Sequence, residues 1–524
     1  MSMSEPPQKV EDLEKGEDRN EKRDSTASIG QSEETKTSPP VAVTTTPVAP
    51  PAAPKNEFEV GWDGPDDPEN PQNWSETIRW YYTVLAGALI LNATFASTAP
   101  VGIIPQLEKH FEISSEVATL VLSLFVAGYC VGPIVWGPLS ETIGRRPVFI
   151  GSFVVYMLFQ IGCALSPNVG AILAFRFLGG CLAASPLSNS GAVIADIWAA
   201  RQRGQAMAIF AIAPFAGPTL APAISGFIGV SGTSWRWVFW ILTLFAAVML
   251  ALIIFTLPET YAPILLKNKA ARKRKETGDE RWFAPIEARK LTLSQHANNI
   301  ITKPALMFIK EPMLFAVTMY MSFVYGCIYL LFEAYPVIFG KGGHNFNAGI
   351  QGLMFLPLLG GGVFGGILSA TYYNKQYVKK MGEYAPARVP PEYRLRMCLT
   401  GGIIFAASFF WIGWTSYPWI SFWAPMMSGF PLGYGLILIF QGLQNFLVDC
   451  YLMNAATALA VLAVVRSSFG AAFPLFARQM YDKLNARWAS TLLGGIAILM
   501  TPIPALFIRY GHLLRQKSRY TPKF

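Results

Sequence analysis

The chain has 524 residues, is 52% hydrophobic and only 14% charged, and carries a formal net charge of +9. Soluble chains are about a quarter charged, so one soluble core cannot hide this much apolar surface. The apolar residues come instead in blocks of about twenty, the length that crosses some 30 Å of hydrocarbon as a helix. The Lys and Arg lie between those blocks and make no basic face with interleaved aromatics, which argues against a nucleic-acid partner and for membrane topology.

Residues 1 to about 78 are rich in Pro, Ser, Thr, Glu and Lys, and too poor in apolar residues to offset the entropy of ordering, which predicts a disordered tail. No apolar core follows a basic start, so the first span, rather than a cleaved leader, is expected to serve as the signal. Spans are predicted near 79–103, 116–138, 147–166, 169–193, 204–229, 235–257, 311–338, 348–372, 396–415, 418–440, 451–476 and 488–510. The expected fold class is an all-α membrane protein, with twelve transmembrane helices in two six-helix bundles, 79–257 and 311–512. A charged central loop, 258–310, joins them and a short tail, 513–524, follows. The halves share hydropathy but no residue-level repeat, so their equivalence is an inference.

Orientation follows from the short loops. Lys267, Lys269, Arg272, Lys273, Arg274, Lys275 and Arg281 crowd the central loop, and Arg145, Arg146, Arg201, Arg203, Lys379, Lys380, Arg394 and Arg396 occupy others on that side. That side is predicted to be cytosolic and, with an even span count, to hold both termini. The opposite loops carry fewer, chiefly Lys109, Lys341, Arg478, Lys483 and Arg487. Six scattered cysteines without CxxC spacing and four dispersed histidines imply no disulfide framework, metal site or cofactor.

The turn between the second and third spans reads Gly137-Pro138-Leu139-Ser140-Glu141-Thr142-Ile143-Gly144-Arg145-Arg146. A carboxylate at the end of one helix, here Glu141, can hold Arg145 or a neighbouring helix terminus in one conformation and release it when the halves tilt. The blander alternative is an ordinary basic turn on the cytosolic side.

This turn resembles the signature loop of the major facilitator superfamily, with Glu141 in place of the family aspartate. The resemblance extends to Arg176-Phe177-Leu178-Gly179-Gly180 in the fourth span and to Asp196 followed by Arg203-Gly204. It also covers Gly217-Pro218-Thr219-Leu220-Ala221-Pro222-Ala223-Ile224-Ser225-Gly226 in the fifth span, similar to the family's antiporter motif. That motif usually has glycine where Ala221 and Ser225 stand, so this span is expected to pack slightly less closely. Asp67-Pro68-Glu69-Asn70-Pro71-Gln72-Asn73-Trp74, Pro258-Glu259-Thr260-Tyr261-Ala262-Pro263 and Phe473-Pro474-Leu475-Phe476 are similar to the fungal twelve-span drug:proton antiporters, multidrug and polyamine exporters among them. From Asp67 onward the resemblance implies a major facilitator fold.

Arg176 falls inside an apolar span, where a charge costs at least about 2.5 kcal/mol, so it should face the interior and have a partner. The resemblance makes it part of proton coupling; a bond to helix carbonyls or snorkelling is the structural alternative. Arg466 poses the same question. Glu333, in the seventh span, is the best acidic candidate for carrying a proton, because a carboxyl binds protons more readily as its surroundings dry. Asp449 reads as an interfacial anchor. Pro214, Pro218 and Pro222 make the fifth span bendable, with Gly217, Pro218, Pro222 and Gly226 as the hinge. Asn92, Asn189, Gln351, Gln441, Gln444 and Asn454 are placed as lining a central substrate cavity, with aromatics stacking on flat or cationic substrates. Gly360-Gly361-Gly362-Val363-Phe364-Gly365 matches a dinucleotide fingerprint only formally, since no strand precedes it, and reads as helix packing.

The resemblance implies secondary export of small organic molecules in exchange for protons by alternating access, without enzymatic chemistry. The expected partners are the substrate, protons and the lipid bilayer, for a monomer in the plasma membrane or, alternatively, the vacuolar membrane. Uptake, facilitated diffusion and sensing without flux are the competing readings.

Overall fold

The protein is described by a computed structural model over residues 58–288, 302–384 and 389–521. Eleven helical runs among them are long and apolar enough to cross a membrane: Glu76–Phe111, Ser115–Ile143, Arg145–Leu165, Val169–Ile197, Gln202–Val230, Arg236–Thr256, Pro312–Phe339, Ala348–Tyr384, Pro391–Thr415, Trp423–Tyr451 and Ala455–Lys517. The last has 63 residues, which at 1.5 Å per residue would reach about 95 Å, three times the hydrocarbon thickness. It is broken at Asn485, where φ is 61° and ψ 159°. The run therefore turns back on itself and supplies the eleventh and twelfth spans.

Local chemistry sets the other ends. Ser114 and Asn168 accept from Val117 N and Ala171 N at the starts of the second and fourth spans. Gly144, at φ +103°, lets the chain reverse between the second and third. Side chains such as Leu244, Phe255, Leu499 and Trp419 point outward and are largely exposed, as suits a surface whose solvent is hydrocarbon.

The tail corrects the expectation of disorder through residue 78. Residues 1–57 lie outside the described residues, but 58–75 are ordered against the helix Ala262–Thr277 that follows the sixth span. Val60 N donates to Phe283 O and Phe283 N to Phe58 O, while Val60 packs on Ala270 and Ala284. Lys269, almost wholly buried, meets Asp63 at 2.7 Å and Asp67 at 2.8 Å. The hydrogen bond from Lys269, with two more from the Asp63 and Glu69 amides, pulls the Asp67 carboxyl down to about 2. Composition missed this because the apolar partners belong to a segment two hundred residues away. Residues 289–301 of the central loop lie outside the described residues.

Candidate functional site

The basic ends of the third, fourth and sixth spans converge on Arg145, which is 6% exposed. Its Nε donates to Asp196 Oδ2 at 3.2 Å, its Nη1 donates to Ser140 Oγ, and its guanidinium lies 4.7 Å over the Tyr261 ring. Glu259 caps the third span: its carboxylate accepts from the amides of Arg145 (2.9 Å), Arg146 (3.2 Å), Thr260 and Tyr261. A carboxylate there also meets the positive end of the helix dipole. A side chain at Gly144 would strike Glu259, its Cβ falling 2.3 Å from Oε2. Asp196, not Glu141, is thus the carboxylate partner of Arg145, because Glu141 sits on the exposed side of its helix. Arg146 reaches Ile254 O, and Arg203 turns back to Ala195 O and Trp198 O.

The second half repeats this arrangement. Arg394, opening the ninth span, meets Asp449 at the end of the tenth at 3.0 Å and lies 3.4 Å from the Tyr377 ring centroid. Asp449 is therefore the counterpart of Asp196 rather than a simple interfacial anchor. This is the residue-level repeat that the sequence did not display, since only the pairing geometry is alike.

Deeper in the bundle, the first span breaks at Pro100 into a 3-10 stretch, Ala99–Ile103. The amide that would bond Ala96 O in the α register, or Ser97 O in the 3-10 register, belongs to residue 100 in both cases, and proline has no amide hydrogen. Arg176, with no exposed surface, takes their place. Its Nη1 donates to Ala96 O at 2.9 Å, Nη2 to Ser97 O at 3.1 Å and Nε to Val121 O at 2.7 Å, with its charge 4.0 Å over Phe125. The carbonyl reading of Arg176 is the one realised. Thr98 repeats the logic one residue on: Pro222 cannot donate to Pro218 O, and Thr98 Oγ1 does so at 3.1 Å. Ser97 Oγ meets Tyr329 OH of the other half at 3.0 Å, and Tyr325 OH donates to Tyr329 OH at 3.3 Å. Ser97, Thr98 and Pro100 were not singled out in the sequence; the Ala99-Pro100 step ending an apolar block was the available signal.

At the end opposite the central loop, the halves are sealed. Glu333 is 6% exposed and accepts from Thr119 Oγ1 at 3.3 Å. Arg478 pairs with Glu108 at 3.6 Å and bonds Ser115 Oγ, so part of the excess positive charge in these loops is neutralised across the interface.

The sequence profile described as Major Facilitator Superfamily matches residues 85–474. The chain belongs to that superfamily. It is 40% identical over 466 residues to the ascochitine biosynthesis cluster MFS transporter of Didymella fabae, covering 88% of this chain and 89% of that one. It is 37% identical over 470 residues to the multidrug transporter mdrA of Aspergillus fumigatus, covering 90% and 77%. Against the MFS-type efflux pump MFS2 of Trichophyton rubrum it is 40% identical over 463 residues, covering 87% and 76%. The fold is similar to that of the proton:xylose symporter XylE bound to 6-bromo-6-deoxy-D-glucose, with TM-score 0.59 at 16% identity, covering 83% and 96%. The protein is a multi-pass membrane transporter of this superfamily.

Within it, the fifth-span motif packs backbone to backbone. A Cβ at Gly217 would lie 2.2 Å from Thr94 Oγ1 and one at Gly226 2.3 Å from Ala348 O of the other half. The expected looser packing at Ser225 does not occur: the opposing residue is Gly102, whose Cβ would fall 2.5 Å from Ser225 Oγ. The space lost on one helix is restored on its neighbour. Gly137, by contrast, has open space around it.

The polar residues placed in a central cavity are mostly elsewhere. Asn189 accepts from Ser140 Oγ and donates to Trp136 O, joining two helices of one half. Gln351 closes the loop before the eighth span through Phe346 O, Asn454 holds Tyr520 O, and Gln444 is exposed. Gln441 bridges Ser369 to Ala208 O across the halves. Asn92 is fully buried with neither amide atom bonded. Backbone acceptors at helix ends, loops and breaks draw in the amides of Gln351, Gln441 and Asn454, which hydropathy alone cannot foresee. A small apolar pocket where the fifth, seventh, eighth and tenth spans meet is walled by Pro214, Phe215, Tyr325, Tyr329, Gly362 and Ile437.

Proposed function

We propose that the protein is a proton-coupled exporter of small organic molecules, working by alternating access between its halves. The observation that carries this reading is Glu333: it is a buried carboxylate whose hydrogen-bond partner, Thr119, belongs to the other half. A proton there changes the charge at the seam between halves, so opening and titration are linked. Arg145 with Asp196, and Arg394 with Asp449, each brace the helix ends of one half at the opposite end, so that each half can tilt there as a unit. Export as the direction is supported by the printed names of relatives at 37–40% identity, which include multidrug transporters and an efflux pump.

The basic end faces the cytosol in this reading, with both termini there, and the protein works as a monomer in the plasma membrane, its two bundles divided by the loop 258–310. Proteoliposomes with an imposed pH gradient test it: wild-type protein is expected to move substrate against the proton flow, and flux indifferent to the gradient would overturn the coupling. Labelling of single cysteines in the Lys267–Lys310 loop is expected from the cytosolic side alone.

A further inference from the structure

Among the described residues, Arg176 and Arg466 both lie deep in the bundle and are held differently. Arg176 spends three donors on carbonyls and is sealed from the cavity. Arg466, eleven residues into the helix that begins at Ala455, sits about 17 Å from that end, near the midplane. It is partly exposed. Its Nε is buried without a partner, and no carboxylate lies within ion-pair distance of it among the described residues. Its guanidinium rests 4.9 Å from the Tyr325 ring and 5.8 Å from that of Phe440. Glu333, eight residues beyond Tyr325 on the seventh span, is about 12 Å farther along the axis. Asp196 and Asp449 are held at the basic end and Glu108 at the opposite end by Arg478.

Among the described residues the centre of the bundle is therefore positive and lacks a counter-ion. Tyr325 also walls the small pocket between the halves, and Phe440 packs edge-on, at 4.9 Å, against Phe215, another of its walls. A guanidinium fork beside flat apolar walls is the arrangement that receives a carboxylate carried on a ring.

Resting on the transport reading above, we infer that Arg466, Tyr325 and Phe440 form the subsite for the acidic group of a flat organic anion, so that substrates are aromatic carboxylates rather than polyamines or other cations. The anion supplies the charge that Arg466 lacks, and its ring lies against Phe440 and Phe215. Occupancy is passed to the first half through Tyr325, Tyr329 and Ser97, which already form a hydrogen-bonded line.

The test is equilibrium binding of 1-naphthoate, 1-naphthamide and 1-naphthylmethylammonium to the full chain in phosphatidylcholine nanodiscs. Naphthoate is expected to bind wild type about tenfold tighter than the amide, a single charged contact's worth, with the ammonium weakest. Arg466→Gln should bring naphthoate down to the amide's level. Arg466→Lys should keep part of the preference, and Phe440→Leu should weaken all three alike. Equal or tighter binding of the ammonium, no naphthoate binding up to millimolar concentration, or an undiminished preference in Arg466→Gln would overturn the proposal. Adding phosphatidylglycerol distinguishes a soluble anion from a lipid headgroup: unchanged naphthoate affinity supports the former, and its displacement overturns it. Binding needs no gradient, so failure of proton-driven flux leaves this result standing, and the reverse holds too.

Discussion

Arg145 and Arg176 are both buried, yet they are held by different chemistry. At the basic end Arg145 faces Asp196 and a hydroxyl on neighbouring helices of its own half, side-chain partners that join helix ends. In the interior Arg176, with no exposed surface, faces carbonyls that Pro100 has deprived of their normal donors. The first ties the ends of three helices of one half to one another. The second is built as part of the scaffold, so that its charge holds a helix break together instead of switching.

Removing the scaffold arginine should have the largest effect. Arg176→Lys replaces a planar fork that reaches three carbonyls with a point-like ammonium, so at least one carbonyl loses its donor, at about 1–3 kcal/mol, and transport and the unfolding midpoint in detergent are expected to fall sharply. The added change Pro100→Ala restores an amide within reach of Ala96 O and should recover part of the stability. If it recovers none, the proline account of Arg176 is wrong.

Next come the residues that brace the basic end. Arg145→Ala and Asp196→Asn are expected to cut transport several-fold at normal membrane abundance. Glu141→Ala, on an exposed side chain, should stay within about 0.5 kcal/mol of wild type in stability and keep most of the flux. Equal losses in all three would return Glu141 to the role the sequence suggested for it.

Glu333→Gln keeps shape and hydrogen bonding while removing titration. Efflux driven by an imposed pH gradient should fall, with substrate binding retained; a full gradient response would mean that another group carries the proton.

The smallest effect belongs to the tail clamp. The Asp67 carboxyl is lowered from 3.8 to about 2, so its contribution is complete above pH 3.8 and is lost as pH falls toward 2. Proteolysis between residues 58 and 75 should be slow and constant from pH 7 to 5, and Asp67→Asn should speed it at pH 7. A clamp equally protected in that variant would show that the Val60 contacts alone suffice.

Much of this protein is written in one dimension. Spans are recognisable because each must be apolar over a bilayer's thickness, and helix bonds are local, so twelve crossings, the Gly144 turn and the family signatures follow from the order of residues. Arg176 and Glu333 stand out for the same reason, as charges where hydrocarbon should be. What holds each of them was not legible, because partners are chosen by distance in space. Glu141 is four residues from Arg145, yet Asp196, fifty-one away, is the one that meets it. Asn189, Gln351 and Asn454 looked like cavity residues because hydropathy counts polar atoms, whereas the fold used them on carbonyls near helix ends and loops. The Arg145–Asp196 and Arg394–Asp449 repeat, the ordering of 58–75 and the unpartnered state of Arg466 were likewise decided only by packing, which alone determines which backbone acceptors are left open and which charges remain without a partner.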